Sequence, residues 1–204
     1  MPTPKQIDRQ NRMLAAALCE FSNEGYHAAN VENIAKEAGV GKATIYRHYS
    51  NKEGLFLGVF DHILQRLERS IRERADFAEF AKGTREAIRT YFEQLSENPD
   101  IFMFFRLFTH DSHVPDTQLR QQLADRYMNA ALWAVSEIRT AQKRGQVNPK
   151  LDPERMIYAT LGMMQFLMYH WLRHRQPKNI YDNVDLVCEM IFNGVGGKNA
   201  RRGK

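Results

Sequence analysis

Between Gly41 and Lys52 the chain reads Gly-Lys-Ala-Thr-Ile-Tyr-Arg-His-Tyr-Ser-Asn-Lys, with three formal cations, Lys42, Arg47 and Lys52, and no carboxylate. Long cationic donors beside hydroxyls and an amide are the mixture that nucleic acid asks for. Lysine and arginine reach base edges in the major groove, while the shorter polar groups hold phosphate oxygens. If Ile45 and Tyr49 point inward at helical spacing, Ala43, Thr44, Tyr46 and Arg47, and less fully Lys42 and His48, stay on the open face.

Other chemistries fit the chain poorly. Gly39-Val40-Gly41-Lys42 is no phosphate loop, because Lys36 stands where the first glycine is needed and Ala43 follows the lysine in place of Ser or Thr. No nucleophile elbow or paired-histidine helix motif is present. His110-Asp111-Ser112-His113 offers suitable metal-ligand types, but the spacing matches no metal pattern and no remote ligand is evident. Cys19 and Cys188 are far apart, each within an apolar helical stretch, as small hydrophobes are in a reducing compartment. The expectation is a protein that is not an enzyme and has no cofactor and no metal.

The elements that would position the basic stretch are legible around it. Ile34, Ala38 and Val40 form an apolar seam with Ile45 and Tyr49, Ala35 is small where two helices would cross, and Gly39 suits a left-handed helix end. Ser50, three residues before Glu53, has the pattern of a capping box opening the next helix, which runs through Leu55, Val59, Ile63 and Leu67 to about Arg74. A first helix spans about Ile7 to Asn23 and stops at Gly25.

Across residues 10 to 56 the sequence resembles the DNA-binding end of the TetR family of bacterial regulators. Beyond that, the likeness thins to helical pattern. The resemblance implies that Lys42, Ala43 and Arg47 face bases or the groove wall, that Thr44, Tyr46 and His48 hold phosphates, that Lys52 clamps the backbone, and that Asn30 caps the first helix of the motif beside the DNA. Two residues depart from the family's habit. Gly41 stands where Ser or Thr is frequent and Asn30 where Thr is, which weakens particular phosphate contacts without removing the motif.

Composition is ordinary for a globular protein, with 43% hydrophobic and 26% charged residues in 204. The net charge of +5 looks like support for nucleic-acid binding, but Lys198, Arg201, Arg202 and Lys204 supply four of those charges, so the rest of the chain carries +1. The local pattern around Lys42 therefore carries the argument. No apolar run is long enough for a membrane span, and the N-terminus lacks the apolar core of a signal peptide, so a cytoplasmic location is expected.

Nearly all the rest reads as helix. The expected fold is all-α, about nine helices in total. A three-helix helix-turn-helix DNA-binding head covers 1–50, with the linking helix begun by about residue 56. A larger helical ligand-binding and dimerisation domain covers 51–197, followed by a basic tail at 198–204. One long helix is expected from Thr117 to Arg144, and another opens at Asp152-Pro153. From Met156 to Leu172 the latter is apolar almost all round and must be covered on both sides. A second copy of the chain is the simplest cover, with Tyr158 and Tyr169 joining Val184, Val187, Cys188, Ile191 and Phe192 of the last helix in the interface. The resemblance agrees, since such regulators are usually dimers joined through their last two helices.

The aromatics of residues 102–108, with Tyr127, Trp133, Met164 and Met168, either fill a core or line an apolar cavity. The resemblance favours a cavity for a small effector, lined by Phe102, Phe105, Arg106, His110, Tyr127, Trp133, Met164, Gln165, Met168 and His170. The leading reading is a dimeric repressor of a palindromic double-stranded DNA operator, released by a small, largely apolar effector. The alternative is a DNA-binding regulator with no effector, controlled by its abundance or by a protein partner.

Overall fold

The structure, a computed structural model, describes residues 3–98, 100–101, 117–174 and 177–194, the side chain of Leu172 excepted. The chain is all-helical, with no strand among the described residues: α1 (Pro4–Ala28), α2 (Val31–Glu37), α3 (Lys42–Tyr49), α4 (Lys52–Arg74), α5 (Phe80–Glu97), α6 (Thr117–Ala131), α7 (Ala134–Lys143), α8 (Pro153–His174) and α9 (Asp182–Phe192). The described residues fall into two compact units, one within Met1–Arg66 and Glu97–Tyr127, the other within Leu67–Ser96 and Met128–Lys204.

The first unit is organised by α1 and α4. The first helix begins three residues before the predicted start because Thr3, Pro4 and Gln6 make a capping box: the Gln6 amide donates to Thr3 Oγ1 at 3.4 Å and the Thr3 amide to Gln6 Oε1 at 2.7 Å. Gly25, with φ of 77°, kinks the helix near its predicted stop, and one further turn follows. Met13, Ala17 and Phe21 of α1 meet Ile34 of α2, Ile45 of α3 and Leu55, Phe56 and Phe60 of α4 in one core, all fully buried. Phe21 and Phe56 pack edge to face at 4.9 Å, and burying each ring contributes about 1.5–3 kcal/mol. Leu119, Leu123 and Tyr127 bury one face of α6, whose Arg126 is ion-paired with Asp61 of α4.

In the second unit, Phe80 of α5, Val135, Ile138 and Ala141 of α7 and Ile157 of α8 form a core cluster. Arg74, at the end of α4, holds Glu93 with both guanidinium arms at 2.9 and 3.0 Å and also reaches Glu86, fixing α5 alongside. The expected single helix from Thr117 to Arg144 is broken at Leu132 and Trp133. There, bonds spanning three residues, Leu132 to Asn129 and Val135 to Leu132, replace the α-helical ladder. The Trp133 ring lies 5.9 Å from Phe77, with the Arg72 guanidinium 4.5 Å from its centre. The start signal at Asp152-Pro153 holds: Asp152 Oδ1 accepts from the Arg155 amide at 2.9 Å, and Pro153 is the first residue of α8.

Candidate nucleic-acid interface

The turn between α2 and α3 is set by Gly39, whose φ of 65° belongs to the left-handed region. The Val40 amide donates to the Ala35 carbonyl at 3.0 Å and the Gly39 amide to Lys36 at 3.2 Å, the paired bonds that close a helix end of this type. At the start of α2, Asn30 Oδ1 accepts from the Glu32 amide at 2.8 Å, and the Asn30 amide donates to Glu20 of α1 at 2.8 Å. The predicted cap is thus tied to α1. Gly41 begins α3 with no side-chain hydrogen bond, as expected where the usual hydroxyl is missing.

Ile45 is fully buried and pins α3, while Lys42, Ala43, Tyr46, Arg47 and His48 are exposed and Thr44 is half-buried. Tyr49 closes the helix from beneath, and burial pushes its phenol above the ordinary range. Two glycines of α4 make room for it. A Cβ on Gly54 would stand 2.0 Å from the Tyr49 carbonyl oxygen, and one on Gly58 would stand 2.7 Å from Tyr49 Cε1. The end of α3 therefore rests on bare backbone, and its register against α4 is fixed by contact.

The predicted capping box at Ser50 is not formed. Ser50 has a φ of 64°, and Asn51 caps α4 in its place, with Oδ1 accepting from the Gly54 amide at 2.7 Å. Both residues are cap-forming types, and the tight turn after α3 leaves the cap to the later one.

The cations are less free than the sequence suggests. Lys42 Nζ lies 2.8 Å from Glu32 Oε1, so α2 brings a carboxylate to a stretch that is acid-free only along the chain. The hydrogen bond and the charge of each hold the Glu32 carboxyl below, and the Lys42 ammonium above, their usual ranges. Lys52 donates to the His27 carbonyl at 2.9 Å and stands 5.3 Å from the centre of the Tyr26 ring. Burial lowers its affinity for the proton, with Glu20 opposing. Glu32, Asn51, Gly54 and Gly58 are the positioning residues that sequence reasoning passed over. Asn51 carried a sequence signal as a cap-forming type and the two glycines as breakers inside an otherwise good helix, while Glu32 carried none.

Residues assigned by sequence to an effector cavity are placed unevenly. Phe102, Phe105, Arg106 and His110 lie outside the described residues. Tyr127 is buried in the first unit, while Met164 and Met168 are buried, and Trp133 and Gln165 half-buried, in the second. His170 is exposed, its ring 4.7 Å from that of His174. The residues assigned to a partner copy are also placed unevenly. Val184, Val187 and Cys188 are buried within the chain itself, and burial pushes the Cys188 thiol up. Ile191 and Tyr169 are half-buried, whereas Tyr158 and Phe192 are exposed. The apolar groups left outward are Tyr158 and Phe166 on α8 with Leu186, Met190 and Phe192 on α9, Phe166 being 73% exposed.

A short, exposed, polar helix held over a three-helix core by a glycine turn defines a helix-turn-helix DNA-binding protein. Residues 13–59, the head of the chain, match the model of bacterial regulatory proteins of the tetR family. An HTH-type transcriptional regulator of Bacillus subtilis, YhgD, is 28% identical over 84% of this chain and 88% of its own length. The fatty acid metabolism regulator protein of the same organism is 23% identical over 92% and 95%. The fold is shared with the fatty acid degradation regulator FadR of Bacillus halodurans, with a TM-score of 0.75 and 21% identity over 91% of this chain and 99% of that one. It is also shared with FadR of Bacillus subtilis, solved in complex with stearoyl-CoA, with a TM-score of 0.72 and 22% identity over 91% and 99%. The chain is a DNA-binding transcriptional regulator, not an enzyme. No helix among the described residues is long and apolar enough to cross a membrane.

Proposed function

We propose that the protein is a homodimeric repressor that binds a palindromic operator through two copies of α3 and is released by a small, largely apolar effector, of which a long-chain acyl thioester is the first candidate. The observation that carries the DNA reading is α3 itself: Ile45 and Tyr49 anchor it, and Tyr46, Arg47 and His48 stand exposed beyond them. Residues 1–50 read the operator in this scheme, while 51–197 take the effector and pair the copies. Action on DNA places the protein in the cytoplasm.

A helix of eight residues specifies too few bases alone, and two of them set about 34–36 Å apart would read successive major grooves. The exposed apolar groups of α8 and α9 support a partner copy as the pairing surface. The thioester rests on the Bacillus subtilis neighbour, which was solved with stearoyl-CoA. Its acyl chain is apolar, as the expected effector is. To clear the DNA almost completely, the effector must bind the released state more tightly by about 5.5 kcal/mol.

The test begins with selection of bound duplexes from random DNA by the full chain, which should return an inverted repeat. Titration of that duplex with and without stearoyl-CoA, and with Lys42→Ala, Arg47→Ala and Lys52→Ala, follows. Lys42→Ala and Arg47→Ala should weaken the selected site more than random DNA, and Lys52→Ala both alike. Equal losses on both duplexes from the first two variants would overturn base reading. Binding unchanged by stearoyl-CoA at saturation would overturn that effector while leaving DNA recognition standing.

A further inference from the structure

The last turn of α8 carries a feature that DNA binding leaves unused. His170 and His174 are four residues apart on one helix, both exposed, with ring centres 4.7 Å apart and ring planes inclined by 40°. Side chains at that spacing lie one above the other on the same face. The geometry points to a two-histidine chelate for a transition-metal dication, of the class of Cu(II) or Ni(II).

The ring separation can be tested against coordination geometry. A metal about 2.0–2.1 Å from each coordinating nitrogen lies about 3.2 Å from each ring centre. With one nitrogen of each ring turned to a common ion, centres 4.7 Å apart would subtend about 95° at the metal. That is close to the right angle of a tetragonal site, which suits Cu(II) and Ni(II), whereas a tetrahedral angle would spread the centres to about 5.2 Å. Imidazole is a suitable ligand for both ions, and solvent can fill the remaining positions.

The helix favours a cation at this place. His174 is the last residue of α8, where unpaired carbonyls and the aligned peptide dipoles leave a partial negative charge. Opposing it is the exposed guanidinium of Arg173, which lies between the two histidines in sequence. Among the described residues no group of three or more metal-binding side chains gathers anywhere, so this pair is a bidentate site and its affinity rests on both rings. A bound ion would lock the final turn of α8, the helix that also carries Tyr158 and Phe166 outward. The site needs neither the dimer nor the effector proposed above.

The experiment is calorimetric titration of the full chain with Cu(II) and Ni(II) in a non-chelating buffer, with electron paramagnetic resonance of the copper form. One Cu(II) per chain is expected, with Ni(II) weaker and two imidazole nitrogens in the copper spectrum. His170→Ala and His174→Ala should each weaken binding by roughly tenfold or more, because the second ring binds as a tethered partner. Exposed His27 serves as the control, and His27→Ala should change nothing. Circular dichroism confirms that the variants fold. Copper affinity unchanged in both single variants, an equal loss in His27→Ala, or a spectrum with one nitrogen would each overturn the assignment.

Discussion

Gly54→Ala tests whether the recognition helix is positioned by contact with α4. In an ordinary helix, alanine for glycine stabilises by about 0.5–1 kcal/mol. Here the added Cβ would stand 2.0 Å from the Tyr49 carbonyl oxygen. Since carbon and oxygen settle no closer than about 3.3 Å, the end of α3 must retreat by about 1.3 Å. The obstructing atom is backbone and cannot rotate away, so strain of about 1–3 kcal/mol should outweigh the helix-propensity gain. The net loss of about 1–2 kcal/mol lowers the melting temperature by roughly 2–8 °C in a chain of this size. The same displacement carries Arg47 and His48, and hydrogen bonds to base edges tolerate only a few tenths of an ångström, so operator affinity should fall further than affinity for random DNA. Gly58→Ala meets the Tyr49 ring, a side chain able to turn aside, and should cost less. Thermal unfolding followed by circular dichroism, with titrations of both duplexes, decides the matter. A melting temperature raised in Gly54→Ala would refute the close approach of α3 to α4.

Glu32→Gln removes the carboxylate paired with Lys42 at an exposed site. Stability should hardly move, because an exposed pair is screened by solvent, while DNA affinity rises and the salt slope steepens by about one, which fluorescence anisotropy at several salt concentrations would register. The Arg74 guanidinium holds the Glu93 carboxyl below its ordinary value of 4.5. A group whose pKa is depressed by folding adds stability above its unfolded value and loses it as pH falls through the folded one. The stability gap between the native chain and Glu93→Gln should therefore be constant near neutrality and close below the ordinary carboxylate range in urea melts. Phe166→Glu should leave the fold intact and yield monomers in sedimentation, whereas Val184→Glu, buried in the chain's own core, should unfold the second unit.

Sequence periodicity was sufficient for the head because its signals act locally. Gly39 needs a left-handed backbone whatever surrounds it, and Ile45 is the only aliphatic residue of α3 larger than alanine, so the glycine turn and the buried face follow from spacing. The rest depended on contacts between elements distant in sequence. Glu32 reaches Lys42 only because the turn folds α2 back toward α3, and Lys52 finds the His27 carbonyl 25 residues earlier. Neither pairing leaves a trace in local spacing. Ser50 and Asn51 show the same limit at short range, since both are cap formers and the backbone after α3 decides between them.

The last helix is where periodicity leaves two faces open, and the reason is physical. Val184, Val187, Cys188, Ile191 and Phe192 make a stripe at helical spacing, but Leu186 and Met190 make a second one on the other side, and a pattern of spacing states that two faces are apolar without ranking them. The rank is set by which shapes fit the neighbouring helices. Val184, Val187 and Cys188 are small and compact, and they pack against the chain's own core, along with the buried Asn183. The longer, more flexible Leu186 and Met190 are left outward, together with Phe166 on α8. The outward set on α9, Leu186 and Met190 with Phe192 at the helix end, is the one the proposed partner copy would cover.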